Sequence, residues 1–225
     1  PSIINIYTSI KNDHISFIKE VDILEEKYIP MVKEDRKKYY YEMRERHAYD
    51  YTKWSKTKEA AYLFFLMKTG FNGIFQINKN TNNRFGTPSG LLKQKDNVYD
   101  KENVKFWHDI LQNTTITCKD WKEAIPKEIK NSFYFLDPPY RGSFTSYGQT
   151  FGDQDQTDLV SFAKSVSSDS KVLLCNDDVN DGFFQNIQGD LKIESYELVH
   201  TAGRRATNTD GTKAAKSVKE IVLYN

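Results

Sequence analysis

The sequence predicts an α/β fold, in which a mostly parallel sheet with crossover helices follows a helical lobe that ends in a β-hairpin. Two observations predict it. In the second half of the chain, short apolar runs typical of strands alternate with helical patterns, as in parallel sheets. In the first half helical patterns dominate, until residues 71 to 90 become rich in Asn, Gly and aromatic side chains, as in an exposed hairpin or loop.

Composition indicates a globular protein in a reducing compartment. The 225 residues are 38% hydrophobic and 28% charged. No apolar run approaches membrane-spanning length and no charged-then-apolar leader is present, so we expect a cytoplasmic location and no membrane partner. Cys118 and Cys175 stand alone, without the Cys or His neighbours that a zinc cluster needs.

The net charge of +1 does not by itself indicate a nucleic-acid-binding protein. Basic residues nevertheless gather in two segments. The clusters are Lys33, Arg36, Lys37, Lys38, Arg44 and Arg46, and Arg204, Arg205, Lys213, Lys216 and Lys219. Each cluster is either a binding surface or simply a solvated face.

Two helices are predicted in the first half, on either side of a basic, tyrosine-rich stretch from Arg36 to Tyr51. The first runs from Ile15 to Tyr28 and carries Ile15, Ile18, Val21 and Leu24 at helical spacing. The second runs from Thr57 to Met67, begins at a Ser/Thr start signal and stops at Gly70. It is apolar on most of its surface, so we expect it to be buried between layers.

Further elements are predicted in the second half, and polar residues follow three of the strands. Helices are predicted at Val104 to Leu111 and Thr157 to Val166, and strands at Thr115 to Cys118, Phe133 to Leu136, Lys171 to Cys175 and Val218 to Tyr224. The polar residues are Asp120-Trp121, Asp137 and Asn176-Asp177-Asp178. Ligands of open α/β sheets bind at the carboxyl ends of strands, so a crevice should open there.

Asp137-Pro138-Pro139-Tyr140 is the most informative motif. We expect Asp137 at the end of a buried strand, with two prolines that remove backbone donors and leave the preceding carbonyl groups rigidly aimed. A carboxylate, a free carbonyl and an aromatic face suit a planar group with an exocyclic amine. The amine would donate to Asp137 and to the Pro138 carbonyl, and Tyr140 would stack on the ring. A solvated Pro-Pro turn is the alternative.

These residues resemble the Dam-type, D12 class of DNA adenine-N6 methyltransferases over nearly the whole chain. The catalytic motif resembles that of amino methyltransferases in general, and Phe71-Asn72-Gly73 narrows the resemblance to this family. The other similar segments are Tyr40 to Arg44, Ala60 to Phe64, Arg84 to Gly90, Cys118 to Trp121, Leu174 to Asp177 and Arg204 to Ile221.

The resemblance implies a Rossmann-like sheet dependent on S-adenosylmethionine and a helical target-recognition lobe. Asp137, Pro138, Pro139 and Tyr140 would be catalytic, and Asp120, Trp121 and Asp137 would bind the methyl donor. A helix cap is the alternative for Asp120. The residues expected to contact DNA are Arg44, Phe71, Asn72, Gln76, Asn78, Arg84 and Pro88. Salt-bridged or solvated side chains are the alternative for Arg44 and Arg84.

The chain departs from the family pattern at two places. The family begins with a cofactor-binding strand, a Gly-rich turn and an acidic ribose-binding residue, whereas Pro1 to Tyr7 resembles the segment just after that acidic residue. We therefore expect this chain to be a fragment, or its missing part to come from elsewhere. Gln76 aligns with the family's base-reading arginine. Arginine reads guanine, whereas glutamine favours adenine. The DNA sequence GATC can therefore not be taken over from the family as the recognition sequence of this chain.

The sequence thus predicts a site-specific DNA adenine-N6 methyltransferase that flips its target base out of double-stranded DNA. Residues 1–7 and 93–225 would form the catalytic domain, and 8–92 the target-recognition lobe with its hairpin at 71–90. A cognate restriction endonuclease would be a further partner. The alternatives are a cytosine-N4 or RNA amino methyltransferase and a DNA-binding protein without catalysis.

Overall fold

The computed structural model describes residues 2–78, 84–125, 130–142, 151–200, 206–207, 213–214 and 216–225. The chain divides into two compact units, residues 1–125 and 126–225. The predicted domains, residues 1–7 with 93–225 and residues 8–92, stay a prediction. No helix among the described residues is long and apolar enough to cross a membrane.

The first unit is mainly helical. Its α-helices are α1 (Ser2–Tyr28), α2 (Lys33–Asp50), α3 (Lys56–Thr69), α4 (Lys101–Gln112) and α5 (Trp121–Ala124). A two-stranded antiparallel ladder joins β1 (Ile77–Asn78) to β2 (Arg84–Phe85). Helices α3 and α4 both pack against α1, and their shared apolar core holds the unit together.

Helix α1 begins earlier than predicted and changes direction at Asp13. The backbone of Asp13 is not helical, and its Oδ1 accepts a hydrogen bond from the Ser16 main-chain nitrogen at 3.0 Å. Asp13 thus caps the second part of the helix, close to the predicted start. The predicted apolar stripe was partly wrong, because Ile15 is 71% exposed while Phe17 is buried.

Helix α3 (Lys56–Thr69) matches the predicted helix from Thr57 to Met67 to within two residues at either end. Ser55 caps its start by accepting a hydrogen bond from the Lys58 nitrogen at 3.2 Å, and Gly70 follows its last residue. An added Cβ at Gly70 would lie only 2.6 Å from the Leu66 carbonyl oxygen, so glycine is required at this stop. The predicted burial is also observed, since Leu63 is among the residues fully removed from solvent.

The predicted hairpin contains little regular strand structure among its described residues. Phe71–Gly73 forms a 3-10 turn instead of a strand, and only Ile77–Asn78 pairs with Arg84–Phe85 among the described residues. Residues 79–83 of the predicted hairpin lie outside the described residues. The base is closed by an antiparallel bridge between Gly70 and Ser89.

The second unit contains a four-stranded sheet in the order β3, β4, β8, β5. Its strands are β3 (Phe133–Leu136), β4 (Lys171–Asp177), β5 (Lys192–His200) and β8 (Lys216–Tyr224). Helix α6 (Asp153–Val166) lies between β3 and β4 in the chain, and α7 (Phe183–Ile187) lies between β4 and β5. A separate short ladder pairs β6 (Ala206–Thr207) with β7 (Lys213–Ala214). The predicted strands 133–136, 171–175 and 218–224 are confirmed, whereas β5 was missed because its alternating polar residues gave no apolar run.

The prediction of a mostly parallel sheet is wrong for the described strands. Only β3 and β4 run parallel, whereas β8 is antiparallel to both β4 and β5. The α/β class itself is confirmed, since β3 returns to β4 through the crossover helix α6.

Two predictions about individual strands are also wrong. The strand before Asp137 was predicted to be buried, but Phe133 and Phe135 of β3 are 65% and 58% exposed. The packed face of this strand is the opposite one, where the ring centroids of Tyr134 and Phe162 lie 5.4 Å apart. Residues 115–118 form no strand, since no described strand pairs with them.

Candidate functional site

Asp137 lies immediately after β3, at the edge of the sheet where β4 also ends. The two strands are parallel, with Leu136 paired to Leu174, so their carboxyl ends lie side by side. Asn176 and Asp177 end β4 at the same edge. The polar residues that follow these two predicted strands are therefore neighbours, which is the arrangement that gives open α/β sheets their ligand sites.

The loop after Asp137 is held by side chains from two other elements. Gln156 of α6 donates through Nε2 to the Pro139 carbonyl at 2.9 Å. Asn176 of β4 accepts from the Arg141 main-chain nitrogen at 2.7 Å. These bonds fix the peptide groups on both sides of Tyr140, so the motif does not depend on its prolines alone for rigidity.

The side chain of Arg141 ties the same loop to the starts of two helices. Its guanidinium forms two hydrogen bonds with Asp153, of 2.7 and 3.1 Å, and one with Asp181. Its Cζ lies 4.2 Å from the ring centroid of Phe183. The hydrogen bonds from Arg141 lower the pKa of the Asp153 and Asp181 carboxyl groups. Arg141 thus connects the loop after β3 to the first residues of α6 and to the segment before α7.

The Tyr140 side chain lies within hydrogen-bonding reach of the Asp137 carboxylate. Burial raises the pKa of Tyr140 well above its usual value, and the negative charges of Asp137 and Glu220 raise it further. Burial and the same two carboxylates raise the pKa of the Cys175 thiol. Tyr140 and Cys175 are therefore neutral at physiological pH, and an aromatic ring and a carboxylate stand next to each other at the end of β3.

Asp120 adopts the helix-capping role that was its alternative interpretation. Its Oδ1 accepts from the Lys122 main-chain nitrogen at 2.9 Å and starts α5. Trp121 is half-buried, with Lys122 Nζ 5.5 Å from its ring centroid. The cap engages Oδ1 of the carboxylate, and Trp121 directly follows Asp120 in the chain. A carboxylate and an indole ring suit a purine with an exocyclic amine.

The hairpin is fastened through the buried residue Thr87. Its hydroxyl donates to the Ile74 carbonyl at 2.7 Å and accepts from the Gln76 nitrogen at 3.2 Å. Its carbonyl accepts from the Tyr40 hydroxyl at 2.9 Å and from Arg44 Nη1 at 3.1 Å. The predicted DNA-contacting segment is thus joined to α2 through one side chain and its peptide group.

The tip residues of this segment are exposed. Phe71 is 48% exposed, and Asn72 adopts a left-handed conformation with φ of 52°, which asparagine tolerates better than most residues. Gln76, Asn78 and Pro88, also predicted to contact DNA, are exposed as well. All the predicted DNA-contacting residues belong to the first unit, on α2 or on the hairpin.

Arg44 and Arg84 line a cavity of about 210 Å³ between α2 and the hairpin. The Arg44 guanidinium carbon lies 4.6 Å from the Tyr41 ring centroid, and that of Arg84 lies 4.1 Å from Tyr49. Glu45 also lines the cavity. Arg44 in addition donates to the Gly86 and Thr87 carbonyls, so it has a structural role whatever it binds.

Arg36 does not belong to a charged surface. It is buried, and its guanidinium donates to main-chain carbonyls of Tyr28, Ile29, Leu92 and Gln94. The first basic cluster therefore loses one member to the interior. Of the second cluster, Arg204 and Arg205 lie outside the described residues.

A profile of the D12 class of N6 adenine-specific DNA methyltransferases matches residues 1–202. The chain belongs to this class. The sequence-based recognition is therefore confirmed, and the α/β fold with its mixed sheet is consistent with a methyltransferase. Family membership gives DNA adenine methylation as the reaction and DNA as the substrate class.

Three relatives of known name fit this membership. The type II methyltransferase M.MjaIII of Methanocaldococcus jannaschii is 28% identical over 225 residues, which cover 97% of this chain and 75% of that protein. The retron Ec67 DNA adenine methylase of Escherichia coli is 26% identical over 182 residues, covering 80% and 60%. The type II methyltransferase M.CviBI of Paramecium bursaria Chlorella virus NC1A is 33% identical over 135 residues, covering 58% and 48%.

Sequence reasoning about this D12-class chain missed three residues that shape its candidate site. Gln156 is a buried polar residue on the face of α6 that also carries Leu159 and Val160, a pattern that could have been noticed. Arg141 directly follows the motif, and Thr87 stands inside the hairpin segment. Nothing in the local sequence distinguishes these two from exposed loop residues, because their partners are distant along the chain.

Proposed function

We propose that this chain transfers the methyl group of S-adenosylmethionine to N6 of an adenine that has been flipped out of duplex DNA. The observation that carries the proposal is the Asp137 carboxylate at the end of β3, beside a Tyr140 ring whose flanking peptide groups are both fixed. A carboxylate and a flat ring at fixed positions suit a planar base with an exocyclic amine.

The residues of the motif would act by making the amine more nucleophilic. The N6 lone pair is delocalised into the adenine ring, so hydrogen bonds from N6–H to Asp137 and to the Pro138 carbonyl favour a more tetrahedral nitrogen. Tyr140 would stack on the extruded base. When N6 forms its new bond to the methyl carbon it must release one proton, and Asp137 is the base beside it. Positioning and electrostatics supply the rate.

S-adenosylmethionine, when bound, supplies a methyl group on a sulfonium sulfur that becomes a neutral thioether. We propose that Asp120 accepts from the adenine amine of this donor and that Trp121 packs beside its ring. The capping bond of Asp120 uses Oδ1, which is compatible with this role. Asp137 is the third residue proposed for donor binding.

Duplex DNA is the proposed substrate because the hairpin exposes residues suited to it. Phe71 would enter the base stack next to the target, and Asn72 would contact base edges. Arg44 and Arg84 would meet phosphates, with Tyr41 and Tyr49 holding the two guanidinium groups. Gln76, Asn78 and Pro88 complete the proposed contacts. Gln76 would favour adenine over guanine at the position that it reads.

A cytoplasmic location and a cognate restriction endonuclease are further parts of the proposal. The composition supports the first. The names of two relatives as type II methyltransferases support the second. No described residue bears on either.

The test measures the transfer of labelled methyl from S-adenosylmethionine to unmethylated duplex DNA, followed by digestion to nucleosides. Label in N6-methyl-2′-deoxyadenosine is expected for a version extended to the length of its relatives, and the unaltered chain is measured beside it. Asp137→Asn should abolish the label while DNA binding stays, because the amide cannot act as a base. Asp190→Asn, at an exposed turn before β5, is the matched control and should keep full activity.

The identity of the labelled product distinguishes the alternatives. Label in N4-methylcytosine, or label in RNA under conditions where duplex DNA gives none, would replace the proposed substrate. DNA binding without label in either length of chain would support a DNA-binding protein without catalysis.

A further inference from the structure

Two buried amide side chains connect the peptide groups on either side of Tyr140. They are Gln156 of α6 and Asn176 of β4, which are 1% and 0% exposed. The Arg141 nitrogen donates to Asn176 Oδ1 at 2.7 Å, and Asn176 Nδ2 donates to Gln156 Oε1 at 3.0 Å. Gln156 Nε2 then donates to the Pro139 carbonyl at 2.9 Å, so three hydrogen bonds run in one direction.

The main chain dictates the orientation of both amides. The Arg141 N–H can only donate and the Pro139 carbonyl can only accept. Asn176 must therefore present its oxygen to the first, and Gln156 must present its nitrogen to the second. The remaining oxygen of Gln156 and nitrogen of Asn176 then match each other. A carboxylate cannot replace either amide, since it has no hydrogen to donate.

The neighbouring Pro138 carbonyl, which the proposed function assigns to the substrate amine, takes no part in this network. Among the residues that the structure describes, no donor reaches that carbonyl, whereas the Pro139 carbonyl is engaged by Gln156. Buried amides are costly unless they are hydrogen-bonded, and these two are bonded through both their oxygen and their nitrogen. Such a pair fixes a loop more tightly than an apolar contact would, because hydrogen bonds are directional.

We propose that Gln156 and Asn176 are positioning residues that set the Tyr140 ring relative to Asp137 and so control the rate of methyl transfer. This inference rests on the proposed function, because Tyr140 and Asp137 are its base-holding and amine-binding residues. Neither amide contacts substrate in this proposal. They act through the Pro139 carbonyl and the Arg141 nitrogen, and their loss should lower the transfer rate more than DNA affinity.

The test uses Gln156→Glu and Asn176→Asp in the chain extended to the length of its relatives, which is the unaltered reference here; both substitutions preserve shape and remove a donor. An ionised Glu at 156 would face the Pro139 carbonyl with an oxygen, and an ionised Asp at 176 would face Gln156 Oε1 in the same way. When protonated, either acid has an O–H that restores the missing bond. Burial raises the pKa of a carboxylic acid, so protonation should occur within about pH 5–8.

We expect both variants to lose about 100-fold in single-turnover methyl transfer at pH 8. The ratio of variant to unaltered rate should rise as pH falls, because protonation restores the donor. The dissociation constant for DNA should change less than about threefold, since no proposed DNA contact is altered. Gln185→Glu, at an exposed position of α7, should match the unaltered chain at every pH.

The outcomes separate this inference from the function on which it rests. A rate ratio that stays constant with pH for both variants contradicts the inference, as does an unaltered rate in both. An equal loss of DNA binding also contradicts it. If one variant does not fold, judged by its thermal melting curve, the other decides. Absence of transfer by the unaltered and extended chains contradicts the proposed function itself, and this inference with it.

Discussion

Arg36 lies over the ring of Tyr28, with 4.8 Å between its guanidinium carbon and the ring centroid, and donates through Nε to the Tyr28 carbonyl at 3.2 Å. Its other nitrogens donate to the carbonyls of Ile29, Leu92 and Gln94. The end of α1 leaves carbonyl groups without helical partners, and Arg36 satisfies them from α2. One buried cation thus joins α1, α2 and the segment before α4.

Arg36→Met should therefore destabilise the first unit. The substitution preserves much of the apolar stem but leaves four buried or half-buried carbonyls without this donor. We expect the free energy of unfolding to fall by about 3 kcal/mol or more, measured by urea denaturation. Lys37→Met removes the exposed neighbouring charge and should cost less than about 0.5 kcal/mol. Equal losses in the two variants would show that Arg36 is not the structural residue described.

Thr87→Val should loosen the hairpin without changing its shape. Valine removes the hydroxyl that joins the Ile74 carbonyl to the Gln76 nitrogen. The cost should be about 1–2 kcal/mol of stability, together with weaker discrimination among DNA sequences, because Gln76 loses its support. Urea denaturation measures the loss of stability, and affinities for a panel of duplexes of different sequence measure the discrimination. Thr52→Val, at an exposed position, should leave both quantities unchanged. Unaltered discrimination in the Thr87→Val variant would separate this residue from recognition.

Phe71→Ala should slow methyl transfer most on fully paired DNA. An inserted ring helps to replace the stacking that is lost when a base leaves the helix. We expect about a tenfold slower transfer on a matched duplex. The loss should be mostly recovered when the target adenine sits in a mismatch, where extrusion costs less.

The control for this substitution is Phe106→Ala, which removes a similarly exposed ring from α4. It should not show the recovery on mismatched DNA. An identical loss for Phe71→Ala on matched and mismatched duplexes would mean that the ring serves binding in general and not base extrusion.

Glu59 should make the first unit sensitive to acid. Burial on its own would raise the pKa of Glu59, but hydrogen bonds with His47 at 3.2 Å and Asn5 at 3.0 Å outweigh it, so its pKa is lowered from 4.5. A lowered folded-state pKa means that this carboxylate stabilises the fold above pH 4.5. The stabilisation is lost as pH falls below that value and through the folded pKa.

Glu59→Gln should therefore be less stable than the unaltered chain near neutral pH, and the difference should shrink below pH 4.5. Denaturation curves measured across this window test it. Glu45→Gln, an exposed residue on α2, is the control and should show no such convergence. A stability difference that is independent of pH would mean that the hydrogen bonds matter but the charge does not.

The sequence by itself determined the features that depend on neighbouring residues. The sequence predicted the helix from Thr57 to Met67 with its stop at Gly70, and the apolar run before Asp137 predicted β3, because helix ends and strand runs are local patterns. The Asp137-Pro138-Pro139-Tyr140 motif and Phe71-Asn72-Gly73 were sufficient to identify the family. The roles proposed for individual residues stay predictions, since neither the fold nor family membership tests them.

Only the tertiary structure decided the features that depend on residues distant in sequence. Arg36 is a basic residue among basic residues until α1 and the segment before α4 surround it, and residues 115–118 would need a pairing strand that the described chain does not give them. Gln156 and Asn176 are 20 residues apart and meet because α6 returns the chain to a strand parallel to β3. Hydrogen bonds between distant elements form when packing brings donor and acceptor together, and no local pattern encodes that meeting.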